Sequence, residues 1–260
     1  MMNLFLKTDE EIELLRESNL LVSKTLAELA KIIKPGISTS YLDKIAEEFI
    51  RDNGALPAFK GYNGFPASLC TSVNEQVVHA IPSEKVFLKN GDIISIDCGT
   101  LKNGFVGDSA YTFCVGDVSE EKKNLLKITK ESLFEGIKYA VEGKRIGDIG
   151  YAIQNYCEKA GYSVVREMVG HGVGREMHES PEVPNYGKQG MGKMLKAGMT
   201  ICIEPMINMG SRDLIIESDG WTARTKDFKC SAHFEHAVAV KKGVADILSD
   251  FEIIEKNLEN

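Results

Sequence analysis

No apolar run in the 260 residues approaches the roughly 18 consecutive residues that a helical membrane span requires, which excludes a protein threaded through a bilayer by helices. The N-terminal Met1-Met-Asn-Leu-Phe-Leu-Lys7 lacks the basic flank and long apolar stretch of a signal peptide, so a cytoplasmic protein without membrane contact is expected. Six cysteines, Cys70, Cys98, Cys114, Cys157, Cys202 and Cys230, include no Cys-x-x-Cys pair and stand in apolar segments, which favours reduced, buried thiols over a disulfide framework. An excess of positive charge is missing too. The net charge of −7 argues against a general nucleic-acid binder, because phosphate binding needs a basic surface. No segment has the composition of a linker or low-complexity tract, so the chain, 43% hydrophobic and 27% charged, reads as one globular domain over residues 1–260.

What the chain does have is a repeat. Leu88-Lys-Asn-Gly-Asp-Ile-Ile-Ser-Ile-Asp97 is echoed 107 positions later by Leu195-Lys-Ala-Gly-Met-Thr-Ile-Cys-Ile-Glu204, and the same offset matches Gly36 to Gly143 and Gly54 to Gly161. A period of this length is too long for a solenoid unit and too short for two independent enzymes. It fits two half-domains, at about residues 8–115 and 116–250, fused about a pseudo-two-fold axis.

Each half opens with two helices. Thr8-Asp-Glu-Glu11 forms a capping box ahead of an apolar stripe at Leu15, Val22, Leu26, Leu29 and Ile33, which Pro35-Gly36 ends. A second helix is predicted near Ser40 to Asp52, and the pair recurs after Ser119-Glu-Glu121 and from about Ile146 to Ala160. Strands are predicted near Gln76 to His79, at the segment ending in Asp97, over Phe105 to Val115, and near Val164 to Met168, Met199 to Glu204 and His233 to Val240. Two helices then strands, twice, give an α+β fold with helices outside and half-sheets joined across the axis.

The strand ending at Asp97 and the strand from Phe105 are linked by Lys102-Asn-Gly-Phe105, the signature of a two-residue hairpin turn. With Lys102 opposite Phe105, Asp97 faces Ala110, and Asp108 lies two residues along on the same face. Such diagonal neighbours have Cα atoms roughly 7–8 Å apart, close enough for two carboxylates to share an ion. Glu204 and Glu235 are the counterparts in the second half; the Asp108 to Glu235 offset is 127, so twenty extra residues, carrying Arg212, Asp219-Gly-Trp221 and Lys226 to Lys229, have entered there. Four acids aimed into one apolar sheet need compensation, since an unpaired buried charge costs several kcal/mol. Two divalent cations would supply it, and such a pair lowers the pKa of bound water to near neutrality. All five histidines cluster around these segments. His171, between glycines in Gly170-His-Gly-Val-Gly174, is assigned as an imidazole donor to a metal; His79 and His178, a His-x-x-Pro pair, are assigned as acid/base or oxyanion-stabilising groups. His233 and His236 read as core or supporting imidazoles.

With these residues in place, the chain resembles the methionine aminopeptidases, in the short bacterial type I form. The resemblance runs over essentially the whole chain, through Gly61-Tyr-Asn-Gly-Phe-Pro-Ala67, Thr71-Ser-Val-Asn-Glu75, His79-Ala-Ile-Pro82, Gly170-His-Gly-Val-Gly174, His178-Glu-Ser-Pro181, Ile203-Glu-Pro205, Asp219-Gly-Trp-Thr222 and Phe234-Glu-His236. It implies a pita-bread fold, two pseudo-symmetric halves with outer helices around a curved antiparallel sheet, that removes the initiator methionine of nascent chains when the next residue is small. It further implies five ligands, Asp97, Asp108, His171, Glu204 and Glu235, for two divalent ions (Co, Mn, Fe or Zn), with Glu204, His79 and His178 catalytic. The methionine pocket would be Tyr62, Phe65, Cys70 and Trp221, next to His79, His178 and Met177. Asn74 and Ser231 match positions that hold a monovalent cation, Na or K. The implied partners are nascent polypeptide N-termini and the ribosome, with the enzyme a monomer.

Departures from the family pattern fall on the pocket: Met177 where Phe is frequent, Phe65 where Tyr is, Ala80 where Gly is usual and His233 where Gln is common. A flexible thioether at Met177 still suits a methionine pocket. The rival enzyme is a proline-specific aminopeptidase or prolidase with a similar ligand set and an extra N-terminal domain; the rival from another class is a non-catalytic binding protein on the same fold.

Overall fold

The structure is a computed structural model and describes residues 5–258; Met1 to Leu4 of the N-terminal segment, and the two ends of the domain expected over 1–260, lie outside the described residues. The elements run α1 (Asp9–Ala30), α2 (Thr39–Asp52), β1 (Leu56–Pro57), β2 (Leu69–Val73), β3 (Gln76–Val78), β4 (Ile93–Lys102), β5 (Phe105–Cys114), α3 (Glu120–Ile137) and α4 (Ile146–Lys159). They continue with β6 (Ser163–Val164), β7 (Gly170–Gly172), β8 (Glu179–Val183), β9 (Thr200–Ile203), β10 (Met206–Asn208), β11 (Leu214–Ile216), β12 (Ala223–Thr225), β13 (Ser231–His233), β14 (His236–Ala239), β15 (Asp246–Ile247) and α5 (Phe251–Glu255). All described strand pairings are antiparallel. The result is an α+β fold.

The four long helices stand where the periodicity places them. Thr8 accepts from the Glu11 backbone and Glu11 reaches back to Thr8, so the capping box is formed. The helix pairs bury their apolar stripes, Leu21, Val22, Leu26 and Leu29 from α1 and Leu125, Leu133, Ile149 and Ile153 from α3 and α4, in one core against the strands. Beside its apolar stripe, α1 carries a buried polar one that the periodicity does not announce. Ser18 and Thr100 exchange hydrogen bonds, and the Asn19 side chain accepts from the Asp108 backbone N–H at 3.1 Å, which latches α1 onto the β4 and β5 hairpin.

That hairpin has the register its turn dictates. Asn103 and Gly104 both take positive φ (53° and 78°), as a type I′ turn requires, and Lys102 pairs with Phe105, Asp97 with Ala110 and Gly99 with Asp108. The second half departs from expectation. The strand expected from His233 to Val240 is broken into β13 and β14 at Phe234-Glu235, opposite a break at Glu204-Pro205 between β9 and β10. Pro205 has no N–H to donate. The Glu235 N–H, which points out of its own hairpin, donates to the Ala110 carbonyl of β5 at 2.9 Å, and Ser109 Oγ donates to the Glu235 carbonyl at 2.6 Å, so this segment joins the two hairpins. The strand expected from Val164 to Met168 is only β6, and β1, β2, β7, β8, β10, β11, β12, β15 and α5 had no separate signal.

Gly107, beside Asp108, marks where α1 lies closest to the sheet: a Cβ there would stand 2.5 Å from the Ser18 carbonyl carbon and 2.6 Å from the Asn19 N. Backbone cannot yield as a side chain can. Gly107→Ala is expected to cost about 3 kcal/mol or more of stability by lifting α1 off β5, read as a drop in the urea midpoint; a loss below about 1 kcal/mol would contradict this packing account.

Candidate metal centre and substrate pocket

Asp97 and Asp108 lie on one face of the β4 and β5 hairpin, while Glu204 and Glu235 flank the breaks that follow β9 and precede β14. Extending the β9 to β14 register sets Glu204 opposite Glu235, directly across rather than diagonal like the first-half pair. Asp108 and Glu235 are buried, and Asp97 and Glu204 are nearly so. Among the described residues no lysine or arginine forms an ion pair with any of the four; the imidazoles of His171, beside Asp108 and Glu204, and His233, beside Glu204, are the nitrogen groups within 4.0 Å of them. Burial, and then mutual repulsion, raises the pKa of Asp108, Glu204 and Glu235 well above the carboxylate range, and burial raises that of Asp97.

His171 sits on β7, whose flanking glycines have a packing reason rather than a ligand-access one. A Cβ on Gly170 would stand 2.3 Å from the Cys202 carbonyl oxygen, and one on Gly172 2.7 Å from that of Ser180. His171 Nδ1 lies 3.0 Å from the Gly172 carbonyl, to which its N–H donates, leaving the Nε2 lone pair 3.5 Å from Glu204 Oε1 and 3.7 Å from Asp108 Oδ2. Burial pushes the His171 pKa down to about 3 and that of His79 to about 4, so both rings are neutral. Donor atoms of Asp108, His171, Cys202 and Glu235 all lie within 4.8 Å of one another. Asp97 Oδ1, Asp108 Oδ1 and Glu235 Oε1 are buried without a hydrogen-bond partner. Three orphaned carboxylate oxygens with an imidazole lone pair beside them fit divalent cations by the chemistry of the donors.

A cavity of about 380 Å³ opens onto this cluster and is lined by every residue expected of the cage and pocket: Tyr62, Phe65, Cys70, His79, Met177, His178 and Trp221 with the five candidate ligands. Asp219 accepts from the Trp221 and Thr222 N–H groups, both at 2.9 Å, and so sets Trp221 edge-on against Phe65 with ring centroids 5.2 Å apart. Tyr62 and His178 Nδ1 are hydrogen-bonded at 2.7 Å. Asn74 and Ser231 stand apart from the cavity; Ser231 N–H donates to the Asn74 carbonyl at 2.9 Å, and the Lys122 ammonium donates to Asn74 Oδ1, also at 2.9 Å.

Several residues of the site went unread. Phe59, Val78, Glu167, Met168 and Met206 also line the cavity. Cys202 had a signal, since strand alternation puts it on the face of Glu204. Lys7 had none: it forms a buried ion pair with Glu179, with side chains 5% and 8% exposed. Glu179 also accepts from the Arg175 N–H at 2.9 Å, so the pair ties the loop carrying Met177 and His178 to the start of α1.

Acid pairs in a cage of this kind, seated in a pseudo-symmetric α+β fold beside an apolar pocket, define a metallopeptidase, and the model of metallopeptidase family M24 matches residues 13–242. Methionine aminopeptidase 1 of Bacillus subtilis is 52% identical over 243 residues, covering 94% of this chain and 98% of the relative. The crystal structure of methionine aminopeptidase from Thermotoga maritima superimposes with a TM-score of 0.94 at 41% identity, over 95% of this chain and 100% of that one. A prolidase from Pyrococcus furiosus shares the fold at a TM-score of 0.77 and 24% identity, with this chain covering 65% of its length. The chain belongs to family M24 and, within it, to the methionine aminopeptidases.

Two outcomes follow. A carboxylate whose folded pKa is raised contributes stability that is complete below about pH 4 and is lost as pH rises through the folded value. The rise in melting temperature on adding manganese to metal-free protein should therefore be larger near pH 8 than near pH 6 by calorimetry; equal rises would count against the cage. Lys7→Met, which strands a buried carboxylate, should cost about 3 kcal/mol, and Glu179→Met added to it should recover much of that loss in a double-mutant cycle.

Proposed function

We infer that the protein is a metal-dependent aminopeptidase that removes the N-terminal methionine of nascent polypeptides when the second residue is small. The carrying observation is the juxtaposition of a cluster of four acids and His171 with a cavity walled by Tyr62, Phe65, Cys70, Met177 and Trp221. Asp97, Asp108, His171, Glu204 and Glu235 would hold two divalent ions, Co, Mn, Fe or Zn. Such ions, when bound, supply Lewis acidity and a water acidic enough to react near neutral pH.

The residues do the rest. Glu204, at the wall of the cavity, takes the proton of the attacking water and returns it to the leaving amine. Desolvation lowers the pKa of His178; with the Tyr62 hydroxyl donating to Nδ1, the Nε2–H of this cavity-lining ring stabilises the oxyanion that grows on the scissile carbonyl. His79 contacts the scissile amide nitrogen. The apolar wall takes the thioether, and Met177 adapts to it. The reading extends to a monovalent cation, Na or K, at Asn74 and Ser231, whose backbones are hydrogen-bonded; Lys122 already brings one positive charge to the Asn74 side chain.

A single catalytic domain built of two repeated halves belongs to the same reading. Left-handed glycines recur at the 107-residue offset, with φ of 90° and 87° at Gly36 and Gly143 and 90° and 88° at Gly91 and Gly198. Their hydrogen bonds recur too, Gly36 N–H to the Leu88 carbonyl and Gly143 N–H to that of Leu195. The same reading has the enzyme work as a cytoplasmic monomer on chains at the ribosome; no helix among the described residues is long and apolar enough to cross a membrane.

Methionine release from Met-Ala-Ser with manganese or cobalt, beside Xaa-Pro peptides, tests the reading. The wild type should release methionine and leave Xaa-Pro bonds intact, and Glu204→Gln should lower kcat by about 10²- to 10⁴-fold. A fully active Glu204→Gln, or faster cleavage of Xaa-Pro, would overturn it.

A further inference from the structure

His236 is explained by packing, since it stacks on Phe251 at 3.7 Å and its Nδ1 meets Ser249 Oγ at 2.6 Å. His233 is not so explained. Its side chain is 2% exposed, and its Nε2 is buried with no hydrogen-bond partner. That nitrogen lies 3.6 Å from Glu204 Oε2, while His171 Nε2 lies 3.5 Å from Oε1 of the same carboxylate. Each oxygen of Glu204 thus faces a different imidazole.

The His233 ring is aimed by its backbone. Thr112 Oγ1 donates to the His233 carbonyl at 2.7 Å and accepts from its N–H at 3.1 Å, and Ser95 Oγ meets Thr112 Oγ1 at 2.8 Å. These contacts fasten β13 to the β4 and β5 hairpin. The break after His233 then leaves Glu204 within reach of its ring, and closing 3.6 Å to a hydrogen bond of about 3 Å needs only a small rotation of either side chain.

We propose that His233 is a positioning residue for Glu204: its Nε2–H donates to Oε2, which holds that oxygen for proton transfer and leaves Oε1 beside His171 for the metal pair. The proposal rests on the reading of Glu204 as the proton carrier. The buried His233 Nε2, without another partner, gains most from making this bond, and the Glu204 carboxylate, 13% exposed, gains a donor by receiving it. A glutamine side chain carries an amide N–H of similar reach, whereas leucine fills the space and donates nothing.

The test uses His233→Leu and His233→Gln beside the wild type, with manganese titrated calorimetrically into metal-free protein and kcat and KM measured on Met-Ala-Ser. His233→Leu should still take up as many ions as the wild type, bind them about 10- to 100-fold more weakly and lose kcat by a similar factor with KM little changed. His233→Gln should restore affinity and kcat to within about three-fold of the wild type. Loss of an ion from His233→Leu would make His233 a ligand instead and overturn the proposal. So would a folded His233→Gln as impaired as His233→Leu. An active wild type matched by His233→Leu would overturn this proposal alone, whereas a wild type that neither takes up manganese nor releases methionine would overturn the functional reading with it.

Discussion

Four carboxylates gathered in one cavity, with no lysine or arginine among their described partners, set the terms for the rest of the molecule. Left to itself such a cluster would spread, protonate or draw in water, because the interior screens repulsion poorly. The surroundings prevent the first of these. Asp97 and Asp108 are fixed in an uninterrupted ladder of ten pairs, and α1 is latched behind that ladder through Ser18, Thr100 and Asn19. Glu235 is fixed from a different direction, by backbone hydrogen bonds to Ala110 and Ser109. The acids are therefore held close by structure that makes its own hydrogen bonds, and the cost of their proximity is not met by those bonds.

The parts of this arrangement that local sequence could reveal are those with local causes. Asn103-Gly104 forces one turn type, the turn forces the register, and the register puts Asp97 and Asp108 on one face. The capping box at Thr8 and the apolar stripes of α1 to α4 are equally local. What stayed hidden depends on partners far along the chain. Nothing near Lys7 announces Glu179, 172 residues away, and nothing near Phe234 announces that the outward N–H of Glu235 will meet Ala110. The short strands β6, β7 and β10 to β13 are two to three residues long, too brief for a period-2 pattern to rise above chance.

The glycines beside His171 show how a local composition can have a cause other than the one it suggests. The ring does face the acids, but Gly170 and Gly172 are there because the Cys202 and Ser180 carbonyls leave no room for a Cβ. Tight packing of β7 against its neighbours is what delivers the ring, and the Gly172 carbonyl then selects the tautomer that leaves Nε2 bare. Composition around the histidine thus reported sheet packing, and the chemistry followed from it.

The two halves repeat their sequence pattern yet deliver their acids differently. In the first hairpin Asp97 and Asp108 sit diagonally in a continuous ladder; in the second, Glu204 and Glu235 sit across from each other where the ladder fails. Pro205 removes one donor at that point, and Glu235 gives its own to β5. The register is the same on both sides of the gap, Met206 opposite His233 and Ile203 opposite His236, so Glu204 and Glu235 keep the alternation of their strands. Phe234 N–H reaches the Pro205 carbonyl, and the neighbouring Glu235 N–H therefore points out of the hairpin, to Ala110, with His233 ending β13 just before it. Symmetry supplied four acids, and that outward N–H ties the second pair to the hairpin that carries the first.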